Sequence, residues 1–248
     1  MKNVVIFIFI LLGIIEAQEE LAIINDPDGY ANIHKEKNEK SEILSKVLEK
    51  QIFYYQPENH EAWWKVRLSV FTGEDIEGYM QKSRILPIDN LSSEAKKNLI
   101  LYIFNTEINM YKNYLDHKIS DWKFEEFHDT QLVPILVEIF PKYVCVLKDT
   151  TVLLRFFDII NLETGSADET PDWALGKIFL CEPNFTIKIL SRHCTDLLLN
   201  DLELGFLHIT YQREKEVENF DTIKFKLDSL IDINHNGKKC PNSRINVN

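Results

Sequence analysis

Short stretches in which polar and apolar residues alternate fill much of the first third of the chain. In the segment 30–34, Tyr30, Asn32 and His34 alternate with Ala31 and Ile33, the period of two expected for a strand with one buried face. Asp26-Pro27-Asp28-Gly29 precedes it and predicts a turn, because proline presets φ and glycine accepts a positive φ. Similar strand-like segments follow at 43–48, 52–56, 63–70 and 76–80, with the charged run 35–42 as a loop. Short strands joined by turns predict a small barrel or sandwich.

From Ser92 onward the period changes to that of amphipathic helices. Ser92 or Ser93 can cap a helix, and apolar residues then recur every three to five positions, at Leu99, Ile103, Ile108 and Tyr111 or Leu115. A second helix start is predicted at Thr170 as the cap and Pro171 as the first helical residue, with Pro183 ending or kinking that helix. Residues 87–91 are then the linker between the strands and the helices.

Two architectures remain open for the helical half. The segment Pro141-Lys142-Tyr143 is echoed by Pro183-Asn184-Phe185, and helix pairs with such turns would resemble HEAT-type helical repeats. A plain helical bundle explains the same apolar stripes, which we expect to form core. The segment 161–169 is predicted to be an exposed loop between the helix pairs.

The N-terminus has the pattern of an export signal. Met1-Lys2-Asn3 is followed by an apolar run over 4–15 and the small residue Ala17, which predicts a secretory signal peptide at 1–17. The run is short for a membrane span, which needs about 20 residues. We therefore expect a periplasmic or secreted protein with no membrane insertion after signal cleavage. The predicted parts are a barrel at 20–88, a helical domain at 92–234 and a flexible tail at 235–248.

Several motifs in the strand region occur in the order of a known family. Asp28-Gly29, Asn32, Trp63-Trp64-Lys65-Val66 and Gly78-Tyr79 together resemble the bacterial SH3-like (SH3b) domains attached to cell-wall enzymes and periplasmic proteins. The chain departs from that pattern at His34, where arginine is usual, and at Lys50-Gln51, where the family has Lys-Gly. The resemblance implies a small N-terminal SH3-like β-barrel. Together with the helical periods from Ser92 onward, this predicts an α+β multidomain protein in which an all-α bundle or HEAT-like domain follows the barrel. The resemblance also implies a binding role at the cell envelope.

Charge excludes two classes of partner. The chain has a net charge of −11, and neither half has the basic stripe that nucleic acid or anionic lipid requires. We expect no nucleic-acid partner.

Candidate chemistry is sparse. The cysteines are at 145, 181, 194 and 240, and the pair chosen first for a disulfide is Cys181 with Cys194; Cys145 is expected to be a buried apolar residue. A zinc site from Cys181, His193, Cys194 and His208 is disfavoured, since adjacent side chains diverge on a helix.

Asp232 to Gly237 matches the opening of a calcium loop but has Ser243 where a glutamate is expected, so a polar tail is preferred. No catalytic motif is found, and the sequence predicts no enzyme, no cofactor and no metal.

Exposed aromatic residues of the barrel are the candidate binding site. Val66 is assigned to the core, and Trp64 with it, so that Trp63 and Lys65 face outward. The predicted shallow groove, which would stack on sugar rings or a proline-rich peptide, is formed by Trp63, Tyr30, Tyr55 or Tyr79, and His34. The competing interpretation is that a small barrel needs these large side chains for its own stability.

The predicted function is non-enzymatic binding of peptidoglycan or of an envelope protein or peptide. Two alternatives stay open. One is an inhibitor or immunity-type protein of an envelope toxin, for which acidity would complement a basic partner. The other is a cell-wall-associated enzyme whose site is assembled in the helical half.

Overall fold

The computed structural model describes residues 19–162, 168–193, 195–211 and 216–235. The signal peptide predicted at 1–17, and nearly all of the tail predicted at 235–248, lie outside them. Within the described residues a seven-stranded antiparallel sheet comes first and helices follow. The predicted α+β class is therefore confirmed.

The strands lie close to their predicted positions. They are β1 (Glu20–Ile24), β2 (Tyr30–His34), β3 (Ile43–Leu48), β4 (Phe53–Gln56), β5 (Trp63–Leu68), β6 (Ile76–Gln81) and β7 (Ile85–Pro87). Their order across the sheet is β3-β2-β6-β5-β4-β1-β7. The last strand was not predicted, because a three-residue strand that ends in proline is too short to show alternation.

One face of the sheet is apolar, as the period of two requires. Val66 and Leu68 on β5 are buried, and they pack with Ile33, Phe53 and Met80 from the neighbouring strands. The turn before β2 forms as predicted, with Gly29 at φ 77° and the backbone N–H of Asp28 donating to Asp26 Oδ1 over 3.0 Å.

The described helices are joined by short connections. They are α1 (Ser93–Leu115), α2 (Asp121–Phe127), α3 (Phe140–Leu147), α4 (Thr150–Ile160), α5 (Thr170–Cys181), α6 (Pro183–His193), α7 (Asp196–Thr210) and α8 (Phe220–His235). Ser92 caps α1 by accepting from the N–H of Ala95, as predicted. At α5 the prediction was wrong by one residue, since Glu169 holds the cap position and the Thr170 hydroxyl donates to Asp168 Oδ1 instead.

Between α2 and α3 the chain stays helical through two π-helical turns, His128–Leu132 and Ile135–Ile139. Pro141 lies in the first turn of α3, whereas Pro183 begins a new helix after α5 ends. Both prolines of the echo thus lie in the first turn of a helix, but only Pro183 follows a break between two helices. The run Asp121–Leu147 is long and apolar enough to cross a membrane, but 61% of its most apolar window is buried inside the fold, as in the core helix of a folded domain.

The sheet has its own buried cluster, and a few residues of the strand region also pack into the core of the helices. Leu21, Ile52 and Ile88 from the strand region belong to the same buried cluster as the helical residues Phe104 and Leu136. A polar bond joins the two parts as well, because the N–H of Ile52 donates to the buried Gln131 Oε1 over 2.7 Å. The edge of the sheet is thus fixed against the helices.

The disulfide prediction was wrong. Cys181 pairs with Cys145, and their Cα atoms are 5.9 Å apart, so that α3 is bonded to the end of α5. Sequence could not show this, because the pairing depends on how α3 packs beside α5. With its thiol in that bond, Cys181 cannot serve as a thiolate ligand in the zinc set considered above. The structure of Cys194 and Cys240 lies outside the described residues.

The calcium loop considered at 232–243 is not supported where it can be assessed. The backbone of its first four positions belongs to α8, which runs to His235. A ligand loop of this type needs a turn there rather than a helix. The remaining positions lie outside the described residues.

Candidate binding groove

A concavity of about 320 Å³ opens on the outer side of β2, β5 and β6. It brings together three of the predicted site residues, namely Tyr30, His34 and Trp63. We call it the Trp63 groove; its other polar lining residues are Asp26, Asp28, Asn32, Glu39, Gln81 and Arg84.

Strand geometry explains why these side chains meet. Tyr30, Asn32 and His34 are alternate residues of β2 and share the face opposite the buried Ile33. Gly78 on β6 lets β2 come close, since a Cβ there would lie 2.5 Å from the backbone oxygen of His34. Trp63 then reaches across from β5, and its ring makes an edge contact with the imidazole of His34 at 5.3 Å between centroids.

Two polar atoms of the groove lining are buried without a hydrogen-bond partner. They are Asn32 Oδ1 and His34 Nδ1, and His34 as a whole is only 8% exposed. More than nine in ten buried polar groups in proteins find a partner, because an unmet one costs about 1–3 kcal/mol. The groove therefore keeps hydrogen-bonding capacity that the described chain does not use.

Three of the four charged side chains that line the groove are carboxylates, if His34 is counted as neutral. The side chain of Asp26 is 4% exposed and forms an ion pair with Arg84. Glu39 accepts a hydrogen bond from the neutral amide of Gln81, and Asp28 is exposed on the turn. A ligand in this groove meets more negative than positive charge.

The other predicted aromatic residues lie elsewhere. Tyr55 is not in the groove, because it is 3% exposed on the core face of β4, where its ring stacks on Trp64 at 5.3 Å. Its hydroxyl donates to Glu20 Oε2 over 2.5 Å. Tyr79 is opposite His34 in the pairing of β2 with β6, but it does not line the concavity, and Lys37 Nζ lies 5.5 Å from the centre of its ring. The inward assignment of Val66 is confirmed by its exposure of 1%.

A buried charged cluster in the helical half is the main alternative site. His128 Nδ1 lies 2.7 Å from Glu107 Oε1, and His128 Nε2 lies 2.9 Å from Asp168 Oδ2. Burial opposes the imidazolium charge, but the two carboxylates outweigh it and raise the pKa of His128 to about 10. Since both ring nitrogens are occupied by carboxylates, this histidine is held as a cation and has no nitrogen available to act as a base. We interpret the cluster as a structural link between α1 and the residues before α5.

A second acidic contact joins α5 to α7. Burial, followed by the interaction with Asp172, raises the pKa of Asp201 to about 7; burial also raises the pKa of Asp172. These two carboxyl groups are hydrogen-bonded to each other, so one shared proton stabilises the pair. Over the described ranges, no group of three or more histidine, cysteine, aspartate or glutamate residues is placed to hold a metal ion.

Some groove residues were missed by the sequence reasoning. Asn32 lies on the same alternating face as Tyr30 and His34, so the strand pattern could have placed it. Nothing in the sequence connects Arg84 with Asp26 or Gln81 with Glu39, because each pair is brought together only by the order of the strands.

The chain was compared with known proteins at three levels. No protein-family model, no curated protein and no solved structure matches it significantly.

Proposed function

We propose that this protein is a binding protein of the cell envelope, and that the Trp63 groove recognises peptidoglycan or a peptide of an envelope partner. The observation that carries the proposal is the pair of buried, unpartnered atoms, Asn32 Oδ1 and His34 Nδ1, in a groove lined by the exposed Tyr30 and the half-buried Trp63. Ligand sites combine apolar surface with a few fixed polar groups in this way. On the proposed function, the strand region is an SH3-like barrel that presents the groove, and the helical bundle supports it.

Two further features support the envelope location. The pattern of residues 1–17 is that of a signal peptide. The disulfide between Cys145 and Cys181 is of a kind that persists in oxidising compartments and is rare in the cytosol. Both features agree with a periplasmic or secreted protein.

The proposal is tested by incubating the mature protein with purified sacculi and measuring the bound fraction. We expect binding that is weakened at least tenfold by Trp63→Ala, because a stacked aromatic anchor contributes a large part of such contacts. Trp122→Ala is the matched control, since Trp122 is 46% exposed on α2, outside the groove. Equal binding by both variants, with both folded, would contradict the proposal.

The same incubation separates the alternatives. Soluble fragments released from the sacculi would indicate a cell-wall enzyme instead. If the sacculi are neither bound nor cleaved, the inhibitor alternative gains support. A second, acidic concavity favours that alternative, because Glu19, Glu20, Asp89 and Glu138 line it together with a single cation, Lys142.

A further inference from the structure

We infer that the Trp63 groove selects a ligand that presents a protonated amino group to the acceptor atom of Asn32. This inference rests on the proposed function, because it names the chemistry that the same groove would recognise. It concerns which functional group is bound rather than which polymer or protein bears it.

Hydrogen bonding gives the first argument. The side-chain oxygen of an asparagine can only accept, so the partner that Asn32 Oδ1 lacks must be an N–H or O–H donor. His34 Nδ1 is also unpartnered and accepts in one of its tautomers. A group with several donors, such as an ammonium, can satisfy both atoms, whereas a carboxylate ligand can satisfy neither Asn32 Oδ1 nor an accepting His34 Nδ1.

Charge gives the second argument and separates an amine from a neutral hydroxyl. Three carboxylates line the groove, and Arg84 is the cation among the lining residues. Arg84 is already paired with Asp26, and Glu39 accepts a hydrogen bond from the neutral amide of Gln81. The carboxylates of Asp28 and Glu39 thus leave a negative potential that attracts a cation.

The aromatic border agrees with a cationic ligand. Lys46 Nζ already lies 4.5 Å from the centre of the Tyr30 ring, which places a cation against one aromatic residue of this groove. Tyr30 is thus already in contact with a cation, and an incoming ammonium would need the face of Trp63, since the indole is the aromatic ring that attracts cations most strongly.

The test uses a small probe, so that it does not depend on sacculi. The ¹⁵N-labelled mature protein is titrated with n-butylammonium and, separately, with n-butanol, and the indole N–H signal of Trp63 is followed, with its assignment made from a Trp63→Phe sample. We expect saturable shifts with the amine and at least fivefold weaker response with the alcohol of the same shape. Equal responses to the two probes, or no response to either, would overturn the inference.

Charge variants sharpen the test. Asp28→Asn and Glu39→Gln each remove one negative charge from the groove lining, and each should weaken amine binding about two- to fivefold. Asn32→Leu removes the acceptor and should weaken it about tenfold. Glu74→Gln is the matched control, because Glu74 is an exposed acid outside the groove, and it should bind like the unaltered protein. Loss of binding in the control to the same extent as in Asp28→Asn and Glu39→Gln would count against a specific amine site.

The two proposals are distinguished by comparing the binding of the amine probe with the binding of untreated and acetylated sacculi. If the amine probe binds and acetylation of the sacculus amines abolishes Trp63-dependent binding, both proposals are supported. If sacculi bind through Trp63 and acetylation changes nothing, the proposed function stands and the amine inference fails. If the amine probe binds as described but sacculi do not, the groove chemistry is supported and peptidoglycan is excluded as its target.

Discussion

At the scale of single residues, His128 shows how burial and charge pairing oppose each other. The side chain of Glu107 is 1% exposed, and the imidazolium of His128 is the cation that compensates its charge. Removing one partner of a buried ion pair leaves the other uncompensated, which is strongly destabilising. Histidine at position 128 therefore stabilises the fold through its buried ion pairs, although we assign it no role in binding a ligand.

We expect His128→Ala to lower the free energy of unfolding by about 3–5 kcal/mol, measured by urea denaturation at neutral pH. The double variant Glu107→Gln/His128→Ala should recover part of that loss, because the buried charge is then gone. An effect below about 1 kcal/mol for the single variant would contradict the assigned pairing.

The pH dependence of this cluster has a definite sign. The pKa of His128 is raised from 6.5 to about 10 in the folded protein, so the stability it contributes is fully present below about pH 6.5 and is lost as the pH rises through about 10. The unaltered protein should therefore lose stability across this alkaline range. The His128→Ala variant should show a smaller loss over the same range.

Asp201 gives a pH dependence of the same sign at lower pH. Its pKa is raised from 3.8 to about 7, so the folded state holds a proton that the unfolded state has released between these values, and stability falls as the pH rises through that window. We expect Asp201→Asn to stabilise the protein by about 1–2 kcal/mol at pH 8, because the amide can donate to Asp172 without a charge. It should also flatten the pH dependence between about pH 4 and 7; unchanged stability at pH 8 would contradict this.

At the scale of secondary-structure elements, α5 and α7 are packed with their backbones in contact. A Cβ on Gly205 would lie 1.8 Å from the backbone oxygen of Asp172, and one on Gly176 would lie 2.4 Å from the backbone of Gly205. Neither neighbour is a flexible side chain that could move aside. The two glycines thus set the distance between the helices.

Gly205→Ala should lower the free energy of unfolding by about 3 kcal/mol or more, because α7 must move away from α5. Leu204→Ala is the control on the same helix, since Leu204 is 46% exposed and should change stability by less than about 0.5 kcal/mol. Thermal and urea unfolding of the two variants would measure the difference.

The disulfide acts on the same group of helices. It joins residues 36 positions apart in sequence, and closing a loop of that length stabilises the folded state by about 3–4 kcal/mol through the entropy of the unfolded chain. We expect the double variant Cys145→Ala/Cys181→Ala to lose this amount in oxidising buffer. It should then be insensitive to dithiothreitol, whereas the unaltered protein should be destabilised by the reductant.

Sequence could predict the elements better than their contacts. The strand at 30–34 and the cap at Ser92 were placed correctly, because alternation and capping are local properties. The bond between Cys145 and Cys181 and the contact between His128 and Glu107 were missed, since they depend on which helices pack together. The helix through Pro134 was also missed. The chain passes there from one π-helical turn to the next, and no local sequence pattern predicts π-helical hydrogen bonding.

In the Trp63 groove the same division holds. The strand pattern correctly placed Tyr30, His34 and Trp63 on one face. It also predicted Tyr55 as a groove residue, but Tyr55 is buried. Apolar and aromatic residues are equally good strand formers on either face, so alternation alone could not decide whether β4 turns Tyr54 or Tyr55 to the core.

At the scale of the whole molecule, the sheet has a buried cluster of its own, but Leu21, Ile52 and Ile88 belong to the buried cluster of the helices. Because Ile52 and Ile88 pack with helical residues, separation of the two parts would expose apolar surface on both. The strand region and the helices are therefore in apolar contact next to the predicted linker at 87–91.

We expect the full chain to unfold in a single cooperative transition. Tryptophan fluorescence, to which Trp63 and Trp64 of the sheet contribute, and circular dichroism at 222 nm, which reports on the helices, should give the same urea midpoint. Two separate midpoints would show that this apolar contact is energetically minor.

The position of β1 affects the order in which the polypeptide can fold during synthesis. β1 is made first among the strands, yet its hydrogen-bonded neighbours are β4 and β7. As the chain emerges, β1 has no native partner until β4 has been translated, and its other edge stays unpaired until residues 85–87 follow, so that it can pair with other molecules in that interval. A chaperone that binds β1 during synthesis would prevent this intermolecular pairing until α1 is complete.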